Sequence, residues 1–557
     1  MAVRRLRRML AAVLLSACGR GAPSTSPAPA PVTPPTVRQD SAPRTPAREV
    51  PARPPNVQPS PSHDPYDSLP GRLPVIPAVA NAPLAVKVVY PARDQMLATR
   101  DSNFILGSVG SGDATLTING APVEVKPNGA FLAWLPIPEG TSPAYTLVAR
   151  RGTDSVSERH PVRTFRTPVP QRPPGPPPKP PLTSGWISLG TRTAGTVDTD
   201  RVISVRPTPS GTYKWFAIPG TIVERTGAEG GFTRVRLDQS LEAWVANADV
   251  NELADSSSAS APRRVIPNVV VTPDSAWTDI VFPVREPPPY FVEEDGDKLV
   301  LTLYSTRATT DIISYRPGDS LVRVVTYEPV TTDRVRYVVH LRRPPYGYLV
   351  FHDGRALVLR VRRPPAINAE RPLAGIVITV DAGHPPEGAT GPTGLYEGDA
   401  TLPVAMALKD ELERRGARVI MTRTTLSPFD LMTRPAIARR NNSHALVSIH
   451  FNAAPDGNNP LALNGTGTYF FQPQSEPLAR AVQTGMVRAM GLRDLGVFYD
   501  NLALVRPTWM PAILCEGAYI IVPEHEAAMR DPVGQRTYAR GVAAGIEAYF
   551  RSLGVTQ

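Results

Sequence analysis

Hydrophobic and polar positions divide this chain into stretches of different period. From Leu84 to Thr167 short alternating runs are broken by turns, notably at Thr115-Leu-Thr-Ile-Asn-Gly120 and Pro127-Asn-Gly-Ala-Phe131. Asn-Gly between alternating runs marks a hairpin, so 83–167 is expected to be a small β sandwich. Thr221-Ile-Val-Glu224, Phe232-Thr-Arg-Val-Arg-Leu237 and Ala243-Trp-Val245 predict the strands of a small barrel over 184–253. A third all-strand stretch, 265–366, contains Asp279-Ile-Val-Phe282, Leu299–Tyr304, Val322–Thr326, Arg336–Leu341 and Leu357–Val361.

Beyond residue 371 the period changes. Gly375-Ile-Val-Ile-Thr-Val-Asp-Ala382 reads as a buried strand, and Asp399–Arg415 as a helix with Leu402, Ala405, Leu408 and Leu412 on one face and Gly416 as its stop. Ala417–Met421, Ala445–His450 and Thr466–Phe471 read as strands. Pro428–Asn442, Ser475–Met490, with Ser475 as N-cap, and Gln535–Arg551 read as helices. Strands alternating with helices imply an α/β domain over 371–557, a mostly parallel sheet with helices on both faces. The chain is thus multidomain, three small all-β modules preceding one α/β domain.

Composition adds an address. Arg4, Arg5, Arg7 and Arg8 precede the apolar run Met9–Leu15, the form of a secretory signal over 1–17 and too short to span a bilayer. Leu15-Ser-Ala-Cys18 resembles a bacterial lipobox, which implies lipidation of Cys18 and a periplasm-facing lipoprotein of the cell envelope, in the outer membrane. Residues 18–82 are rich in Pro, Ala, Ser and Thr and cannot bury a core. They read as a disordered tether, reaching on the order of 200 Å at ~3.1 Å per residue. Shorter linkers are expected at 168–183 and 254–264. Cys18 and Cys515 are the only cysteines, which excludes a disulfide framework. A formal charge of +10 favours anionic surfaces, but export and the lack of a basic-aromatic module argue against nucleic acid as the partner.

Candidate chemistry gathers in the α/β domain. His384 follows the strand ending Asp-Ala-Gly, His450 closes Ser448-Ile-His450, and Glu397 opens a helix after Gly394-Leu-Tyr. Carboxyl edges of open α/β sheets are where such domains place their chemistry. Two histidines and a glutamate make a three-ligand zinc site with a position left for water, whose pKa the metal lowers to about 7. Glu516, ending Pro511-Ala-Ile-Leu-Cys-Glu516, is the candidate base, and Cys515 beside it should point the other way, into the core. The competing readings are a capping carboxylate for Glu397 and a helix-surface position for His525. His444 cannot share an ion with His450, since an extended strand separates them by about 20 Å at ~3.3 Å per residue.

These residues resemble the zinc-dependent N-acetylmuramoyl-L-alanine amidases. The resemblance runs from about Leu373 to Phe550 and rests on Asp381-Ala-Gly-His384, Gly391–Glu397, Met421-Thr-Arg423, Ser448-Ile-His-Phe-Asn452 and Pro511–Glu516. Pro385-Pro386 and Gly398 depart from the family pattern at positions flanking the ligands. The resemblance implies one zinc ion on His384, Glu397 and His450, Glu516 as catalytic base, peptidoglycan as substrate, and Asn452 and Arg434 as positioning residues. The alternatives are another zinc peptidoglycan hydrolase, a peptidase or deacetylase, and an inactive wall-binding lipoprotein. The first β module looks immunoglobulin-like, the second resembles bacterial Src-homology-3-like modules, and the third faintly resembles cell-wall localisation domains. Some family members carry an inserted helix that an activator must remove. Here only Gln472-Pro473-Gln474 joins the Thr466–Phe471 strand to the next helix, and Ala453–Asn464 has too few apolar residues to dock firmly. No obligatory activator is therefore expected, and 371–557 is expected to act alone.

Overall fold

The computed structural model describes residues 64–66, 68–164, 185–190, 202–253 and 261–555. The signal segment, Cys18, most of the tether and the linker over 168–183 lie outside the described residues, as does most of the linker over 254–264. Among the described residues, every strand and helix belongs to the unit that starts at Pro65.

The first β module is a sandwich. Lys87–Tyr90, Ser102–Ser108 and Ala130–Pro136 form one sheet, and Ala121–Val123, Thr115–Ile118, Ala144–Arg151 and Asp154–Pro161 the other. Asn119 (φ 51°) and Gly120 (φ 80°) make the predicted tight turn, which needs left-handed backbone at both positions. Inward residues alternate as the pattern required, with Tyr145, Leu147 and Ala149 buried.

The expectation of three separate modules needs correction, because the second and third share a sheet. Ile203–Val205 and Trp215–Ala217 leave the barrel's own five strands and extend a six-stranded sheet of the third module, Phe216 pairing with Tyr290. The pairing covers an edge that would otherwise present unsatisfied backbone groups. Trp215 anchors the junction, its indole N–H donating to the Tyr304 hydroxyl at 3.0 Å.

In the α/β domain the strands are β1 (Val377–Ala382), β2 (Arg418–Met421), β3 (Ala445–Asn452), β4 (Thr466–Phe470), β5 (Asp494–Tyr499) and β6 (Ala512–Tyr519). The helices are α1 (Glu397–Arg414), α2 (Thr433–Arg440), α3 (Glu476–Met490), α4 (Pro523–Arg530) and α5 (Pro532–Val555). The sheet order is β2-β1-β3-β6-β4-β5. Strands β2, β1, β3 and β6 are parallel, but β4 is antiparallel to β6 and β5 parallel to β4, so the sheet is mixed. The cause is local: parallel neighbours need a crossover, usually helical, whereas the β3–β4 connection contains no helix and turns back at the same edge.

Val447, Ile449, Phe451, Ile513 and Cys515 point into a core shared with α1, α3 and α5, while Leu446 and Ala512 face Ala438 of α2 with Leu504 and Met510. Helices α3 and α5 touch backbone to backbone, since a Cβ on Gly485 would lie 2.1 Å from the Gly541 carbonyl oxygen. Ser475 does not cap α3 with its side chain; its hydroxyl accepts the Ala512 N–H at 3.0 Å and ties the helix start to β6.

All three β modules meet this domain. Buried Arg362 from the third donates to the carbonyls of Ser443 (2.6 Å), Asn442 (3.0 Å) and Trp509 (3.1 Å). Tyr213 from the second packs on Phe471, with Arg506 over its ring. Phe104, Leu106 and Leu132 of the first join the α/β core itself. The tether expectation also changes at its end: Leu69 and Leu73 pack on that core, and the Tyr66 hydroxyl donates to Ala481 O at 3.0 Å. Two leucines and a tyrosine supply apolar area that the preceding Pro-Ala-Ser-Thr sequence lacks. Among the described residues, no helix is long and apolar enough to cross a membrane.

Candidate metal centre

Strand β1 ends by delivering Gly383 and His384 to the carboxyl edge of the sheet. Gly383 is required by close approach, because a Cβ there would lie 2.4 Å from the His450 ring. His384 takes a left-handed backbone (φ 56°), a strained choice for a non-glycine residue and one typical of functional loops. Its Nδ1 donates to Pro386 O at 3.1 Å, which leaves Nε2 as the ring atom that faces Glu397.

That Nε2 lies 3.2 Å from Glu397 Oε1, and His450 Nδ1 lies 3.3 Å from the same oxygen. One donor atom from each of His384, Glu397 and His450 falls within 4.8 Å of the others. Ligands at zinc distances in a tetrahedron stand about 3.4 Å apart, so the spacing and the donor set both fit that ion. Glu397 opens α1, but its carboxylate does not cap it: Oε1 accepts the Phe451 N–H at 3.1 Å and Oε2 the Ala389 N–H at 3.0 Å. Burial by itself would raise this carboxyl, yet hydrogen bonds from His384 and His450 and their charge hold it well below the usual carboxylate range. For His384 burial opposes protonation, and the Glu397 hydrogen bond and charge outweigh it and raise the pKa.

Glu516 lies on the next strand, in register with His450 on one side and Gly467 on the other. Its Oε2 is buried without a hydrogen-bond partner. Burial first, and the Glu397 charge second, push its carboxyl well above the ordinary value. Cys515 faces the opposite side, in the core. Asn452 ends β3, its side-chain oxygen accepting the Ala453 N–H at 2.8 Å.

Arg434, 2% exposed, reaches from α2 beneath the His384 loop. It donates to Asp381 Oδ1 (3.1 Å), Ala382 O (2.7 Å) and Pro385 O (2.9 Å). Sequence reasoning assigned no role to Arg423, whose guanidinium donates to Ala382 O (2.8 Å), Gly383 O (2.8 Å) and Gly398 O (2.9 Å) and so joins the loops of His384 and Glu397. It also missed Glu526, fully buried, which accepts from the Thr393 and Leu395 N–H groups at 2.9 Å and fixes the approach to Glu397. The position of Arg423 in Met421-Thr-Arg423, at the end of a buried strand, was the available signal; nothing local pointed to Glu526. His525 is corrected from helix surface to core: it is 5% exposed and its Nδ1 accepts the Tyr519 N–H at 3.1 Å.

An α/β domain with a two-histidine, one-carboxylate cluster at its carboxyl edge, beside an unpaired carboxylate, has the makings of a hydrolase. The model of the family described as N-acetylmuramoyl-L-alanine amidase matches residues 378–548. The uncharacterized protein YqiI of Bacillus subtilis (strain 168) is 30% identical over 203 residues, 35% of this chain and 94% of its own length. The probable cell wall amidase LytH of Staphylococcus epidermidis is 31% identical over 188 residues, 33% of this chain and 62% of that protein. The solved catalytic domain of CwlV, an N-acetylmuramoyl-L-alanine amidase from Bacillus (Paenibacillus) polymyxa var. colistinus, is 33% identical, with 31% of this chain and 97% of that one covered at a TM-score of 0.29. The chain belongs to the N-acetylmuramoyl-L-alanine amidase family, whose members are hydrolases.

Proposed function

We propose that this protein hydrolyses the amide between the lactyl group of N-acetylmuramic acid and L-alanine in peptidoglycan, using one zinc ion on His384, Glu397 and His450. The observation that carries this reading is the convergence of those three donor atoms within 4.8 Å. Zinc, when bound, supplies a Lewis acid for the amide carbonyl and acidifies water. Glu516 takes the proton of the attacking water and passes it to the departing L-alanine amine; a carboxyl raised by burial and by the Glu397 charge suits a group that must hold a proton between those events. Arg434 positions the His384 loop through the carbonyls of Ala382 and Pro385. Asn452 holds the turn after His450.

Mass spectrometry of sacculi digested by the full chain tests the reaction. Free stem peptides beginning with L-alanine are expected, whereas peptide cross-link cleavage, deacetylation or no product would replace the reading. Glu516→Gln is expected to abolish turnover with zinc retained, and loss of zinc would move Glu516 into the ligand set. The envelope reading extends to a lipid anchor at Cys18 in the outer membrane, supported by Leu15-Ser-Ala-Cys18. Cys18→Ser should release the protein into the soluble periplasmic fraction, and a wild-type protein already soluble without detergent would remove the anchor. No obligatory activator is proposed: a short turn, Pro473–Ser475, joins β4 to α3.

A further inference from the structure

A second polar cluster lies outside the metal centre and joins two domains. Asp456 sits in the connection leaving β3, and its carboxylate accepts three hydrogen bonds, all from the first β sandwich: from Asn103 Nδ2 (2.8 Å), from the Ala98 N–H (2.7 Å) and from the Tyr90 hydroxyl. Asn103 is fully buried and returns its carbonyl to the Gly457 N–H at 3.1 Å. Gln95 Nε2 donates to the Tyr90 hydroxyl at 3.1 Å, and the Tyr90 ring stacks on Phe104 with centroids 4.6 Å apart. Gly457 permits the contact, since it has φ +80° and a Cβ there would lie 3.0 Å from Thr99 Oγ1.

Composition misjudged this loop because its anchor is polar. Leu461 and Leu463 remain 54% and 52% exposed, so apolar docking does not hold it. The clamp instead stands a few residues from the metal centre. Ala453 and Ala454, just after the His450 end of β3, pack on the same core as Tyr90 and Phe104, and so does Leu395, just before Glu397. The sandwich therefore backs the segments that carry two of the three proposed ligands.

We propose that the sandwich is a positioning element of the active site, with Asp456 as the residue through which it holds 453–457 and the His450–Asn452 end of β3 in working geometry. Only the activity arm of the test rests on the amidase reading. In the full chain, Asp456→Ala is expected to speed amide hydrogen exchange across 453–464 at least about tenfold in zinc-free protein, while exchange in the sandwich strands holds. It should lower kcat about tenfold, with a smaller change in KM, because a displaced ligand strand acts on the reacting geometry more than on substrate capture. Asp456→Asn should recover part of both. Asn103→Ala combined with Asp456→Ala should cost less than the sum of the two single changes, as expected for residues of one cluster. Wild-type exchange over 453–464 in folded Asp456→Ala overturns the proposal. So does a lowered Tm with unchanged kcat per folded molecule, which would mark a junction with no bearing on the site. Should wild-type protein digest nothing, the amidase reading fails separately and the exchange result still decides the clamp.

Discussion

Strand β3 has a histidine at each end, and the two ends treat it in opposite ways. His444, just before the strand, accepts the Val377 N–H on Nδ1 at 2.9 Å, and its own carbonyl accepts the Tyr346 hydroxyl at 2.6 Å. Burial, then the nearby Arg362 charge, push its pKa down to about 4, so the ring is neutral and its lone pair spent. His450, at the carboxyl end, turns Nδ1 toward Glu397 and shares that carboxylate with His384. A backbone N–H meets the first ring and a buried carboxylate the second. A histidine is thus a structural acceptor or a candidate ligand according to which end of a parallel strand it occupies.

The largest break in this comparison comes from the ligand end. His450→Ala is expected to remove zinc and lower activity by at least about 10³-fold, read by metal analysis and sacculus digestion. At the other end His444→Ala should leave kcat intact.

Next in size is Arg434→Met. It leaves Asp381 as a buried charge with one partner fewer and the Ala382 and Pro385 carbonyls short of a donor, for a loss of about 3–5 kcal/mol in denaturant unfolding.

A pH titration sharpens the contrast. His525, like His444, has its pKa pushed down to about 4, chiefly by burial, from a value of 6.5 when free. Between those values the unfolded chain binds more protons than the folded one. Stability is then full above about pH 6.5 and falls as pH drops toward 4, by about 3 kcal/mol for buried His525. His525→Gln should flatten that part of the pH dependence in urea titrations.

The smallest effect expected is from His444→Ala on stability, about 1–3 kcal/mol, since it orphans the Val377 N–H. A loss of zinc in that variant would undo the contrast between the two ends.

How much of the fold and site is legible in the sequence depends on how local the cause is. His384, Glu397 and His450 can be picked out because glycines and strand ends place side chains at a sheet edge, a consequence of backbone geometry. Glu397 is also a case where a capping role is a fair alternative, and only its hydrogen bonds to Phe451 and Ala389 decide against it. The reversal of β4 and β5, the sheet shared through Phe216 and Tyr290, and the burial of His525 depend on partners distant in sequence. The expectation that 371–557 acts alone now meets a core that includes Phe104, Leu106 and Leu132 of the sandwich.

By itself the sequence determined the alternation of β modules and an α/β domain, the order of the family motifs, and the residues able to hold a metal. Those properties come from period, turn chemistry and side-chain type, all carried within a few neighbouring positions. Tertiary structure alone decided the strand directions, the docking of 69–73, the hubs at Arg423 and Glu526, and the Asp456 clamp. Each of these is a hydrogen bond or contact between segments far apart in the chain, and no local pattern specifies which distant donor a buried acceptor will meet.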